Sequence, residues 1–174
     1  MDAAAHYRQL LTLGRDEFLA AAAAAVLVRR RATPDPATPV IVLNADHDIR
    51  ETVDGRLSHG KLTDGATEME LYPLAKKSGA SFPDRITIGR MPNNDVVISD
   101  PSVSRLHAYV KPAEIWLVSD AGSKNGSWLN EQWLDPRREV SLPPGSVLRL
   151  GDVRFTFYLS RDLFDLHGGD HGRG

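Results

Sequence analysis

The sequence predicts a mainly β protein carrying one helix at its N-terminus. Two observations lead there. From Met69 onward, apolar runs of four to seven residues alternate with turn signals, the texture of an all-β sandwich or barrel. Ahead of that region, Tyr7, Leu10, Leu11, Phe18, Ala22 and Val26 recur at three- and four-residue intervals broken at Gly14 and Arg15, and Ala20–Ala25 has the best helix propensity of any residue type. The bulk composition agrees with a folded chain, since 41% of residues are hydrophobic and 25% charged.

Taken in order, the periodic segment predicts a helix from about residue 3 to about residue 30, with Arg29, Arg30 and Arg31 suited to the negative end of its dipole. Three prolines between Ala32 and Pro39 force the chain out of the helix. Val40–Leu43 reads as a short strand, and residues 44–67 are polar and poorly periodic. Eight further strands are expected at Met69–Leu74, Arg85–Gly89, Val96–Ile98, His107–Lys111, Ile115–Ser119, Ser127–Leu129, Val147–Leu150 and Arg154–Tyr158. Turn signals such as Asn125-Gly126 and Pro143-Pro144-Gly145 separate them. The chain therefore divides into a helix (1–31), a linker and irregular segment (32–66), a β domain (67–160) and a tail (161–174).

Charge and composition exclude several function classes. With 21 Lys+Arg against 23 Asp+Glu the net charge is −2, which argues against a general nucleic-acid or anionic-membrane binder. The longest apolar run, Phe18 to Val28, is eleven residues, short of the 18 to 20 that span a bilayer. Asp16 and Glu17 precede it and arginines follow it, the reverse of a secretory signal. The absence of cysteine removes disulfides, thiolate metal sites and a Cys nucleophile, and fits a reducing, cytoplasmic setting. Asp46-His47-Asp48 reads as solvated loop, and His167, Asp170 and His171 as a frayed end, so neither a metal nor a cofactor is expected.

The residues that carry chemistry fall in three turns. Ile86-Thr87-Ile88-Gly89-Arg90 is an alternating strand that delivers a guanidinium at its end, a planar anion fork. Ser102-Val103-Ser104-Arg105-Leu106-His107 packs two hydroxyls, a cation and an imidazole into six residues before a strand. Ser123-Lys124-Asn125-Gly126-Ser127 sets further donors around an Asn-Gly turn. Ser104, His107 and Asp100 or Asp120 do not make a hydrolase, because no Gly-x-Ser-x-Gly elbow is present; P-loop and kinase signatures are also lacking, and no enzyme is expected.

The order and spacing of these pieces, Gly89-Arg90, Asn94 to Ile98, Ser104 to His107, Ser123 to Asn130 and Leu150-Gly151-Asp152, resemble the forkhead-associated (FHA) domain over about residues 67–160. That resemblance implies a sandwich of two antiparallel sheets whose end loops recognise phosphothreonine. By position, Arg90 and Ser104 would hold the phosphate, Arg105 would add a phosphate contact, and Asn125 and Lys124 would face the peptide. Gly89, His107 and Gly126 would be structural supports of the site. Implied partners are a phosphothreonine-containing protein or a Ser/Thr protein kinase, which makes the chain an adaptor. Two alternatives keep the fold: a phosphate-independent scaffold, and an intramolecular switch that binds its own phosphorylated Thr12, Thr33 or Thr38. Lys124 stands where the family commonly has Thr, Glu131 where it has Gly, and Ser146 where Asp is frequent. Trp116, Phe155, Phe157 and Tyr109 are expected in the core, and Trp128 and Trp133 flank the third loop.

Overall fold

The structure, a computed structural model, describes residues 9–10, 12–32, 63–64, 67–79 and 82–167. In chain order its helices are α1 (Arg15–Ala21) and α2 (Ser160–His167). Its strands are β1 (Ala25–Ala32), β2 (Thr63–Asp64), β3 (Thr67–Pro73), β4 (Ile86–Gly89), β5 (Val96–Val97), β6 (Ala108–Lys111), β7 (Leu117–Asp120), β8 (Ser127–Leu129), β9 (Gln132–Trp133), β10 (Val140–Ser141), β11 (Val147–Leu150) and β12 (Val153–Leu159). The chain divides into a small unit of residues 30–69 and a large one made of residues 1–29 and 70–174. In the small unit β2 pairs antiparallel with the start of β3, Thr63 opposite Glu68.

The large unit is the expected sandwich. One sheet runs β3-β1-β12-β11-β8-β9 and the other β10-β7-β6-β4-β5. Inward residues alternate along β6, where Ala108 and Val110 are buried while Tyr109 and Lys111, which follow them in turn, are half-buried. Ile86, Ile88, Val110 and Val118 from one sheet meet Leu27, Leu148, Leu150, Phe155 and Phe157 from the other. Trp116 tilts onto Phe157 at 5.6 Å between ring centres, a core role as expected. Tyr109 departs from expectation: it stands on the outer face, edge-on to Phe82 at 5.7 Å, with the Arg85 guanidinium 5.3 Å from its ring.

One pairing breaks the antiparallel rule. β4 and β5 run parallel, Ile88 opposite Val96. The cause is Asp95, whose carboxylate accepts the Thr87 backbone N–H at 2.9 Å while its own N–H donates to the Thr87 hydroxyl at 2.9 Å. These bonds pull the returning chain back to the middle of β4, and it leaves in the same direction.

The long N-terminal helix is corrected by the structure. The α-helix ends at Ala21, where the Ala22 N–H still bonds the Phe18 carbonyl, and Ala25–Ala32 is a strand. It pairs with β12, Leu27 opposite Phe157, and its residues Ala25 to Val28 are buried. Alanine propensity favours helix by tenths of a kcal/mol per residue, whereas each buried Val or Leu side chain contributes about 1.5–3 kcal/mol. The open flank of β12 therefore takes this segment as a strand. The sandwich thus begins at residue 25, not 67. The tail is also corrected, since residues 160–167 form α2, in which Leu163 is buried. The predicted strand at Val40–Leu43, the prolines before it, and Thr33 and Thr38 lie outside the described residues.

Candidate functional site

Three loops meet at one end of the sandwich: residues 90–95 after β4, 98–107 after β5 and 121–126 after β7. They surround an open cleft of about 810 Å³ lined by Arg90, Ser104, Arg105, Lys124 and Asn125, every one of the binding residues expected from sequence. Among the described residues, no Asp or Glu lines it. Among the described residues, no carboxylate lies within ion-pair distance of Arg90, Arg105 or Lys124. A concave surface with three unneutralised cations and no acid is suited to an anion.

The donors are held so that their binding capacity stays open. Arg90 Nε donates to the Val103 carbonyl at 3.1 Å, and its backbone N–H donates to the Ser104 carbonyl at 3.0 Å. One of the five guanidinium N–H groups is thereby used and four remain. Ser104 Oγ accepts the Lys124 backbone N–H at 2.9 Å, which leaves its hydroxyl hydrogen to donate. Asn125 Nδ2 donates to the Ser102 carbonyl at 2.8 Å, leaving its second N–H and its Oδ1. Each bond fixes a side chain without spending its remaining donors.

His107 is buried beneath these loops. Its Nδ1 accepts the Ser104 backbone N–H at 3.0 Å and its Nε2 faces the Gly126 carbonyl at 2.9 Å, so the proton sits on Nε2 and the ring is neutral. Burial holds its pKa below the usual 6.5, against the pull of the Gly126 carbonyl and Asp120. The imidazole meets backbone rather than the Ser104 hydroxyl, so the serine-histidine pairing of a hydrolase is not built. Gly89 has a steric reason: a Cβ there would lie 2.3 Å from the Arg105 carbonyl oxygen. Gly126 has both a positive φ of 88° and the Trp133 ring 2.2 Å from where a Cβ would sit. Trp133 in turn packs edge-on to Trp128, with Arg149 stacked on the other ring at 3.6 Å. These two tryptophans brace the third loop from outside; neither lines the cleft.

Sequence reasoning missed the residues that shape the loops. Asp120 is buried and accepts four hydrogen bonds, from the Ser123 and Ser127 hydroxyls and the Gly122 and Ser123 backbone N–H groups. Burial opposes its ionisation, but those donors outweigh burial and keep its pKa below the usual 3.8. Asn94 is buried and its amide donates to both the Met91 and Arg105 carbonyls, tying the first loop to the second. Ser102 Oγ donates to Asp100 at 2.7 Å and accepts the Asp152 N–H at 3.0 Å. A partial signal was Asp placed two or three residues ahead of a backbone N–H it can accept, as in Asp100-Pro101-Ser102 and Asp120-Ala121-Gly122; Asn94 carries no such signal.

Fold and site together define a β-sandwich module with a cation-lined cleft between its end loops. The family model of the FHA domain matches residues 86–151, which assigns this part of the chain to that family of binding modules. Among similar proteins, an FHA domain-containing protein of Arabidopsis thaliana is 36% identical over 69 residues, 38% of this chain and 18% of that one. The transcriptional regulatory protein EmbR of Mycobacterium tuberculosis is 33% identical over 101 residues, 57% of this chain and 25% of that one. The solved structure of Mycobacterium tuberculosis EmbR in complex with a low affinity phosphopeptide aligns with a TM-score of 0.42 and 30% identity, over 52% of this chain and 22% of that one. The aligned region is thus a quarter or less of these relatives' length. No helix among the described residues is long and apolar enough to cross a membrane.

Proposed function

We propose that the cleft binds phosphothreonine in a partner protein and that the chain acts as an adaptor in Ser/Thr kinase signalling. The observation that carries this reading is the cleft's charge: Arg90, Arg105 and Lys124 line it, and among the described residues none of them is ion-paired and no acid lines the cleft. A phosphothreonine brings about −1.5 to −2 charge and three acceptor oxygens, which calls for convergent donors and permanent cations. Arg90 and the Ser104 hydroxyl take the phosphate, and Arg105 adds a cation at the rim. Asn125 meets the backbone of the bound peptide through its open N–H and Oδ1, with Lys124 beside it. Gly89, His107 and Gly126 support the site by allowing close approach and by fixing the Ser104 loop. About three charge-assisted bonds at roughly 1.5–3 kcal/mol each, less the cost of ordering a peptide, give affinity on the order of micromolar. EmbR's structure with a phosphopeptide and the FHA family assignment agree with this reading.

The test is capture of a degenerate phosphothreonine peptide library by the full chain, beside phosphoserine and unphosphorylated pools. Selective capture of the phosphothreonine pool, lost in Arg90→Ala, is the expected result. Equal capture of the unphosphorylated pool would leave a phosphate-independent scaffold in its place.

A further inference from the structure

Arg137 lies outside the three loops, in the connection between β9 and β10, and from sequence alone it reads as one half of a solvated Arg-Arg pair. The structure separates the two arginines. Arg138 pairs with Asp135 at 3.4 Å, while Arg137 has no ion pair among the described residues. Arg137 also holds a backbone φ of 63°, in the left-handed region that side chains other than glycine rarely adopt. Its backbone N–H is pinned to the Asp120 carbonyl at 2.8 Å, and Pro136 bridges to Asp120. Asp120 is the residue whose carboxylate holds Gly122 and Ser123 of the third loop, so the backbone of Arg137 is anchored on the same residue as that loop. The outcome is that Arg137 Nη2 comes within 4.0 Å of where a Cβ on Gly122 would stand, and Gly122 lines the cleft.

The charge at the cleft now exceeds what one phosphate can answer. Arg90, Arg105 and Lys124 line it and Arg137 stands at the Gly122 edge, four cations against a ligand group of about −2. All four are exposed and none is ion-paired among the described residues, so a ligand that brings more than one anionic group to them gains Coulomb attraction at each. Along an extended peptide a neighbouring side chain lies about 3.3 Å further per residue, so a group one to three residues from the phosphothreonine spans such a rim.

Resting on the phosphothreonine reading, we infer that the preferred ligand carries a second anionic group within a few residues of the phosphothreonine, and that Arg137, with Lys124, receives it. The second group is an acidic side chain or a second phosphate, the shared chemistry being a compact oxyanion that a guanidinium grips with two hydrogen bonds.

The full chain is titrated with fluorescent peptides holding one phosphothreonine among uncharged residues. Parallel peptides place Glu at each of the three positions on either side, and a last one puts a second phosphothreonine at the best of these positions. A gain of about fivefold or more is expected at one position with Glu or with phosphate, the two arms telling the sources apart. In Arg137→Ala, checked for an unchanged thermal midpoint, affinity for the doubly charged peptide falls about tenfold and for the singly charged one about twofold, while Arg137→Lys keeps most of the gain. No gain at any position, or a gain that survives Arg137→Ala, overturns the inference and leaves the phosphothreonine reading standing. If neither peptide class binds, both readings fall together.

Discussion

The cleft loops and the helix pair are held by opposite means. Around the cleft, most of the fixing is done by polar bonds from buried side chains to backbone: His107 to Ser104 and Gly126, Asn94 to Met91 and Arg105, Asp120 to Gly122 and Ser123. The helices are held chiefly by apolar contact. Phe18 of α1 is fully buried and tilts onto Phe164 of α2 at 5.1 Å, and Leu163, which precedes Phe164 in the chain, is also buried. The exposed Arg15–Asp165 pair adds little to that contact. Apolar packing is non-directional and tolerates small shifts, whereas a hydrogen bond fixes direction to within tens of degrees. Three loops that must be held in fixed directions around one cleft are therefore fixed by buried polar groups, and a joint that must only hold uses rings.

The contrast predicts separable phenotypes. The largest stability loss is expected for Phe18→Ala, about 3–5 kcal/mol from lost transfer and the cavity left behind. At temperatures where the variant stays folded, its phosphopeptide affinity should equal the wild type's; a parallel loss of binding would show that the helices and the cleft are coupled. His107→Ala comes next, about 2–4 kcal/mol, because it leaves the Ser104 N–H and the Gly126 carbonyl without their partner. Unlike Phe18→Ala it should weaken binding as well, since the Ser104 loop loses its tether. Equal denaturation midpoints for this variant and the wild type would remove the tethering role.

Arg90→Ala should invert that pattern. Thermal stability is expected to stay within about 0.5 kcal/mol, as for exposed positions generally, while phosphopeptide binding weakens by about 30- to 100-fold. Titration calorimetry beside a melting curve reads both numbers on one sample. A destabilised Arg90→Ala would mean that its bond to the Val103 carbonyl holds the loop more than it serves the ligand.

The smallest effect is that of pH. Because burial lowers the His107 pKa below 6.5, the unfolded chain binds a proton there that the folded chain resists. Stability from this group is complete above about pH 6.5 and is lost as pH falls from there toward the depressed folded value, at up to about 1.4 kcal/mol per pH unit. Asp120 and Asp95, both held below the usual 3.8, add their own losses only under stronger acid, below about pH 4. Melting temperatures at about pH 7.5 and 5.5 check this, with His107→Ala expected to flatten the slope. Stability is the right readout, since phosphothreonine itself takes up a proton near pH 6.

Much of the site was legible because its residues lie close to strand ends that sequence marks well. Gly89-Arg90 closes β4, Ser104 to His107 lead into β6, and Asn125-Gly126 precede β8, so short patterns place all of them. Asp120 and Asn94 were not legible as anchors, because what distinguishes them from ordinary turn residues is burial. Arg137 was harder still: nothing in Pro136-Arg137-Arg138 tells which arginine finds an acid and which is turned toward Gly122. The helix reading of the alanine run failed where a continuous apolar stretch is equally a helix face and a buried strand, which periodicity cannot separate.

What the sequence determined by itself is what local chemistry can encode: the alternation of β6 and β12, the turns at Asn125-Gly126 and Pro143-Pro144-Gly145, and the set of donors at three strand ends. The tertiary structure decided what depends on residues distant in the chain. It made Ala25–Ala32 a strand, because β12 offered an edge more than a hundred residues away where Val26 and Leu27 could be buried. It turned β5 parallel to β4 through one carboxylate. And it brought Arg90, Arg105 and Lys124 to one cleft that no acid among the described residues lines, since only the meeting of three loops could settle which charges stand together.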